Sequence, residues 1–302
     1  MVSWPTRKLR RKRGNPSFRI VYIITEHSGQ LCNWLFSLLP VLAAAEHYDT
    51  SLVLLFSTRK YAEFFPELKN RRNIKFWLSK KENAGQPLFE RITNDLARAL
   101  GSRSERDIRE HSPSGLVFIN GWSHRHDKSF IIERKESIRR IFKPKYDAKG
   151  LVEALFHDYN GITVGVHVRR GDYRVWKQGK YFFEDEVYLR AMRQFKGLLE
   201  EGFCRPVRFF LCSDESLTIQ APDLDVVSSG VSDPIVDLYS LSRCDYIIGP
   251  PSTFSQWASF YGDVPISFIV GKFQQIHLED FSPVVLLDCQ KRFFPQRNDW
   301  SW

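Results

Sequence analysis

The chain has 302 residues, of which 43% are hydrophobic and 26% charged, with a formal net charge of +9. Such a composition fits a globular protein of one large or two ordinary domains, and no stretch approaches the roughly 18 uninterrupted apolar residues of a membrane span. Arg7–Arg13 holds six basic residues and no acid, so the rest carries only +3, whereas a nucleic-acid binder needs a basic face on its folded part as well.

Residues 1–17 therefore read as a basic tail, solvated or drawn to anionic lipid headgroups, and no apolar segment follows it to make a signal peptide. Arg19–Thr25 is a predicted strand. The polar turn His27-Ser28-Gly29-Gln30 leads into a helix over about Leu31–Tyr48, and Ser51–Phe56 is a second strand, completing a right-handed βαβ unit. Arg59–Ser114 is mixed and charged, with weak boundaries. Gly115–Asn120 is a strand ending at Gly121-Trp122, and Glu133–Phe142 a helix stopped by Lys143-Pro144. The boundary between two domains, 18–150 and 151–302, falls near Asp147–Asn160.

A second alternating series follows. Ile162–Val168, Val207–Cys212, Asp225–Ser228, Tyr246–Ile248 and Ile266–Val270 read as strands. Val187–Glu201, Ile235–Arg243 and Phe254–Tyr261 read as the helices between them. Such alternation implies a parallel, doubly wound α/β sheet. The five cysteines form no C-x-x-C pair and no metal-ligand spacing, which fits a reducing, cytoplasmic compartment and predicts no metal site.

Ligands of open α/β sheets bind outside the carboxyl ends of the strands, and three predicted strand ends carry polar groups there. The first is His167-Val168-Arg169-Arg170-Gly171-Asp172, with Gly165, His167 and Arg169 on one face of the strand and Val164, Val166 and Val168 on the other. Two adjacent guanidiniums repel, so an anion such as a diphosphate between them is one reading; a structural ion network with Asp172 is the other. The second end is Ser213-Asp214-Glu215, whose acid suits a donor-rich group or serves as a cap. At the third, Gly249-Pro250-Pro251-Ser252-Thr253, Ser252 caps a helix and leaves the amides of Thr253 and Phe254 at the positive end of its dipole. His167 alone also fits a hydrogen-bonded core histidine.

Taken in order, these segments resemble the α-1,2-fucosyltransferases of glycosyltransferase family 11 and, more loosely, the α-1,6-fucosyltransferases. The H-x-R-R-G-D-Y motif is similar to His167–Tyr173, S-D-D/E to Ser213-Asp214-Glu215, and N-S-T-F-S-W-W to Pro251–Trp257. The G-x-L-G-N-Q-x-F motif is similar to Gly29–Phe36. Departures fall at Cys32, Trp34, Pro250, Pro251 and Gln256, mostly toward the acceptor side.

The resemblance implies a GT-B-like fold of two Rossmann-like domains facing across a cleft, the C-terminal one binding the nucleotide-sugar. It implies inverting transfer of L-fucose from GDP-fucose to a glycan hydroxyl, with an α-1,2 linkage and no metal. Arg169 would hold the β-phosphate with Arg170 beside it. Ser252, Thr253 and Phe254 would line the diphosphate or nucleotide pocket, and Asp214 would face the nucleotide. Gly29 and Asn33 would reach across the cleft, and Asp172 or His167 is the candidate base. Glu26, His27, Trp122, His124 and Tyr173 are candidates on the side of the oligosaccharide acceptor. Two competing readings keep the residues but change the role: another nucleotide-sugar donor, or a glycan-binding protein without turnover.

Overall fold

Two parallel sheets organise the chain, each built from strands that alternate with helices. The computed structural model describes residues 21–24, 30–55, 59–77, 116–119, 128–216 and 219–284. The first sheet takes β1 (Val21–Ile24), β2 (Ser51–Leu55), β3 (Ile74–Trp77) and β4 (Leu116–Ile119) in the order β3-β2-β1-β4, all parallel. Helix α1 (Leu31–Tyr48) joins β1 to β2, while the short α2 (Arg59–Ala62) and α3 (Pro66–Asn70) lie between β2 and β3. These short elements, and β3, occupy the mixed stretch that lacked a clear period.

Helices α4 (Lys128–Ile141) and α5 (Tyr146–Phe156) lead to the second sheet. It comprises β5 (Ile162–Val168), β6 (Val207–Ser213), β7 (Asp225–Val227), β8 (Tyr246–Gly249) and β9 (Ile266–Phe268), in the parallel order β7-β6-β5-β8-β9. Its helices are α6 (Asp185–Phe203), α7 (Pro234–Leu241) and α8 (Thr253–Gly262). The winding reverses between β5 and β8, which opens a crevice at the carboxyl ends of those strands. Two elements differ from expectation. Helix α4 begins five residues before Glu133, and most of Asp147–Asn160, read as a boundary, is α5, which puts Ala148 and Val152 into the core.

Fourteen of the 18 residues of α1 are buried, Leu31–Cys32 and Trp34–Ala45. A helix apolar on every side must lie between layers rather than on a surface, and α1 packs against both α4 and α8. Its aromatic contacts join the two sheets into one core. Phe36 of α1 meets Trp257 of α8 edge-on at 5.3 Å, and Phe142 meets Trp257 at 5.2 Å and Phe65 at 5.3 Å. Phe65 and Phe142 are fully buried, each stabilising the packing by about 1.5–3 kcal/mol. The first residues of α1 and α8 consequently face a common cleft. No helix among the described residues is long and apolar enough to cross a membrane.

Candidate active site

β5 is buried along its whole length, so polar side chains become available only where it ends. Successive residues there point in opposite directions, and the two arginines separate accordingly. Arg169 turns into the cleft. Its Nη2 donates to Gln30 Oε1 at 2.9 Å and to Asp172 Oδ1 at 2.7 Å, and its Nη1 lies 3.1 Å from Asp214 Oδ2. Arg170 instead reaches Asp185 in the first turn of α6 and does not line the cleft. The expectation that both guanidiniums bracket one anion is corrected: a single guanidinium faces the cleft, and an ion network holds it there.

Asp214 belongs to that network. Its Oδ1 accepts from the Arg170 backbone N–H at 2.9 Å while Oδ2 pairs with Arg169, so the carboxylate orients the arginine motif as well as lining the cleft. Gly171 permits this approach, because a Cβ there would stand 2.5 Å from Asp214 Oδ2.

The third strand end is formed by the turn from β8 into α8. Gly249 lets β8 run close to β5; a Cβ at that position would lie 2.6 Å from the His167 carbonyl oxygen. Ser252 is the N-cap of α8, its hydroxyl accepting from the Phe254 N–H at 3.2 Å. The amide of Phe254, expected to face a ligand, is thus taken by the cap. Thr253 donates its hydroxyl to Asn33 Oδ1 at 2.8 Å, tying the start of α8 to the start of α1. Tyr173 donates to the carbonyl of Pro251, and burial pushes its phenol pKa up, so it stays protonated.

His167 is buried, its ring tilted against Phe254 at 5.0 Å, and Nδ1 has no protein partner among the described residues. Burial first, and the Arg169 charge second, hold its pKa down to about 3. The imidazole is neutral at physiological pH and a weak base. Asp172 differs: its side chain is 53% exposed and faces the cleft beside Arg169.

The cleft has a volume of about 1080 Å³ and draws its walls from both sheets, with Gln30, Leu31, Cys32, Asn33 and Tyr61 opposite the strand ends of the second sheet. One limb went unnoticed in the sequence. Beyond β7, Ser228–Pro234 and Asp237 line the cleft, and Ser229 donates to Asp237 Oδ1 at 2.6 Å. Burial raises the Asp237 pKa to about 6, opposed by the Ser229 hydrogen bond and aided by nearby Asp233. The signal was present: a polar run, Ser228-Ser229-Gly230, follows an apolar strand, and Asp233-Pro234 is a helix start, with Asp233 accepting from the Ile235 N–H at 2.8 Å. Trp176, on the turn after β5, is a second cleft residue that sequence reasoning passed over.

Gly29, Glu26, His27, Trp122 and His124 lie outside the described residues, as does the 1–17 tail. Among the described residues, no cluster of three or more His, Cys, Asp and Glu is placed to hold a metal ion.

Two parallel α/β sheets with a cleft at the carboxyl ends of their strands make up the GT-B-like architecture of nucleotide-sugar transferases. The chain superposes on the fucosyltransferase NodZ from Bradyrhizobium with a TM-score of 0.51 and 20% identity, covering 82% of this chain and 94% of that one. For a NodZ α-1,6-fucosyltransferase crystal soaked with GDP-fucose the values are 0.52 and 19%, over 87% and 96%. Arabidopsis thaliana FUT1 in complex with GDP gives 0.53 and 13%, over 91% and 75%. An Escherichia coli protein named alpha-1,2-colitosyltransferase is 22% identical over 210 residues, 65% of this chain and 69% of that one. Residues 117–267, half of the chain, match the family model of glycosyl transferase family 11, and the chain belongs to that family.

Proposed function

We propose that the chain transfers L-fucose from GDP-fucose to a sugar hydroxyl of a glycan, with inversion and an α-1,2 linkage. The observation that carries this reading is the meeting of Arg169 with the capped amino end of α8 on one wall of the cleft, opposite Gln30–Asn33. A helix amino terminus and a guanidinium together favour a dianionic diphosphate. Residues 18–150 then act as the acceptor-side domain and 151–302 as the donor-side domain.

In this reading the acceptor oxygen attacks the anomeric carbon as the bond to the diphosphate oxygen breaks on the opposite face, and GDP leaves with the bonding pair. Negative charge grows on that oxygen, where Arg169 stabilises it. The acceptor proton passes to Asp172, which is accessible, rather than to His167, whose low pKa disfavours it. Asp214 and Asp237 both line the cleft, and a carboxylate matches the donor edge of guanine. Because both Asp214 oxygens are engaged, by the Arg170 N–H and by Arg169, Asp237 shares the nucleotide-facing role first given to Asp214. Arg170 holds the turn rather than the phosphate. The free cysteines Cys32, Cys204, Cys212 and Cys244 support a reducing, cytoplasmic setting, and the basic tail peripheral attraction to anionic lipid.

The name of the E. coli relative supports the α-1,2 linkage and also favours a second reading, a related deoxysugar such as colitose as the transferred group. The test is a panel of GDP- and UDP-linked sugars with the purified chain and a glycan array. Transfer from GDP-fucose, with the linkage read by NMR of the product, is expected. Turnover only with a non-guanine donor, or binding of glycans with no turnover at all, overturns the reading.

A further inference from the structure

The cleft extends beyond the groups assigned to the donor. Its volume of about 1080 Å³ slightly exceeds the roughly 300–1,000 Å³ typical of a small-molecule pocket, which leaves room for a second ligand beside a nucleotide-sugar. Strand order places the Ser228–Asp237 limb on the β6–β7 side of Arg169. Toward β8, Tyr173 reaches Pro251, and Trp176 packs on Tyr173 with ring centroids 4.8 Å apart and on Tyr181 at 5.7 Å. The backbone then turns through three successive left-handed residues, Lys177 (φ 47°), Gln178 (φ 60°) and Gly179 (φ 74°). For lysine and glutamine this conformation is disfavoured, and such outliers persist where the surroundings over-determine them, often at functional sites. Here Gln178 N–H donates to Val175 O at 3.1 Å and Phe182 N–H to Gly179 O at 3.0 Å. The result is an indole held by Tyr173 and Tyr181 on the wall of the same cleft that Asp172 lines.

We propose that Trp176 is the platform for the acceptor sugar, the apolar face of a pyranose lying on the indole with its reacting hydroxyl toward Asp172. The proposal rests on the donor reading of the cleft. An indole offers a large, rigid apolar surface at small entropic cost. The Lys177 ammonium, 5.2 Å from the Trp176 ring centroid, ends a flexible chain that an arriving sugar displaces.

The test uses the purified full chain, GDP-fucose, and p-nitrophenyl glycosides of β-galactose, β-glucose, β-N-acetylglucosamine and α-mannose as acceptors. In Trp176→Leu, which keeps apolar bulk but no planar face, the acceptor KM should rise about tenfold or more. Trp176→Phe should keep most of the affinity, and the Kd for GDP by calorimetry should not move in either variant. An unchanged acceptor KM in a Trp176→Leu protein with parental circular dichroism overturns the platform, as does a GDP Kd that rises in step with the KM. Donor turnover by the parent with none of the four glycosides accepted also counts against it. Failure of the parent to bind GDP instead refutes the donor reading, and the platform with it, before any variant is made. Should Trp176→Leu misfold, the Trp176→Phe and Trp176→His pair decides, since only the former keeps an apolar ring.

Discussion

Arg169→Ala tests the central electrostatic claim. Arg169 is the single lysine or arginine among the described residues lining the cleft. Removing one preorganised donor from a developing oxyanion costs about 2.7–4 kcal/mol, or 10²–10³ in kcat. The loss here should reach at least the upper end of that range. Asp172 and Asp214, 2.7 and 3.1 Å from the guanidinium, would remain as two carboxylates facing the incoming diphosphate without their counter-charge. Arg169→Lys keeps the charge but replaces a fork with one ammonium, so it should recover only part of the rate. GDP release followed by a coupled assay at saturating donor, with circular dichroism as the check on folding, measures both variants. A folded Arg169→Ala enzyme retaining kcat within about tenfold of the parent would refute the argument.

Two further substitutions probe the Ser228–Asp237 limb of the cleft and the sheet. The folded-state pKa of Asp237 is raised from 3.8 to about 6, so the native protein binds this proton more tightly than the unfolded chain, and stability is lost as pH rises between those values. Asp237→Asn should therefore stabilise the fold at pH 7.5 by up to about 3 kcal/mol while weakening GDP binding, and the parent's GDP affinity should decline as pH falls below about 6; urea melts and calorimetry across pH check the three trends. Gly249→Ala puts a methyl 2.6 Å from the His167 carbonyl oxygen, which is backbone and cannot yield easily. A loss of about 1–3 kcal/mol is expected from thermal unfolding, and a neutral result would mean that β5 and β8 separate more readily than their packing implies.

The second sheet was largely readable because its strands are continuous apolar runs and its helices carry periodic apolar faces. Ile162–Val168 and Leu31–Tyr48 hold the limits expected of them. Helix α5 was not readable: Gly150 lowers its helix propensity, and its burial comes from tertiary packing that no local period reveals. Within the site, the polar strand ends pointed to a cleft, but adjacency in sequence was taken for adjacency in space. Arg169 and Arg170 are neighbours whose side chains diverge, and the partner that separates them, Asp185, lies in a different element. Asp237 was passed over because it lies one turn inside a helix, and its exposure to the cleft depends on where α7 packs. Trp176 follows a short charged turn with no regular period, and it leads into a left-handed backbone that residue types alone do not announce.

The edge-on contact of Phe36 with Trp257 has a bearing on how such an enzyme diversifies. Because the two helices that open onto the cleft are pinned to each other through a shared aromatic interior, the distance between the two walls of the cleft is set from behind. A lineage built this way would change its sugar by exchanging side chains on rigid walls, not by adjusting how far two lobes swing.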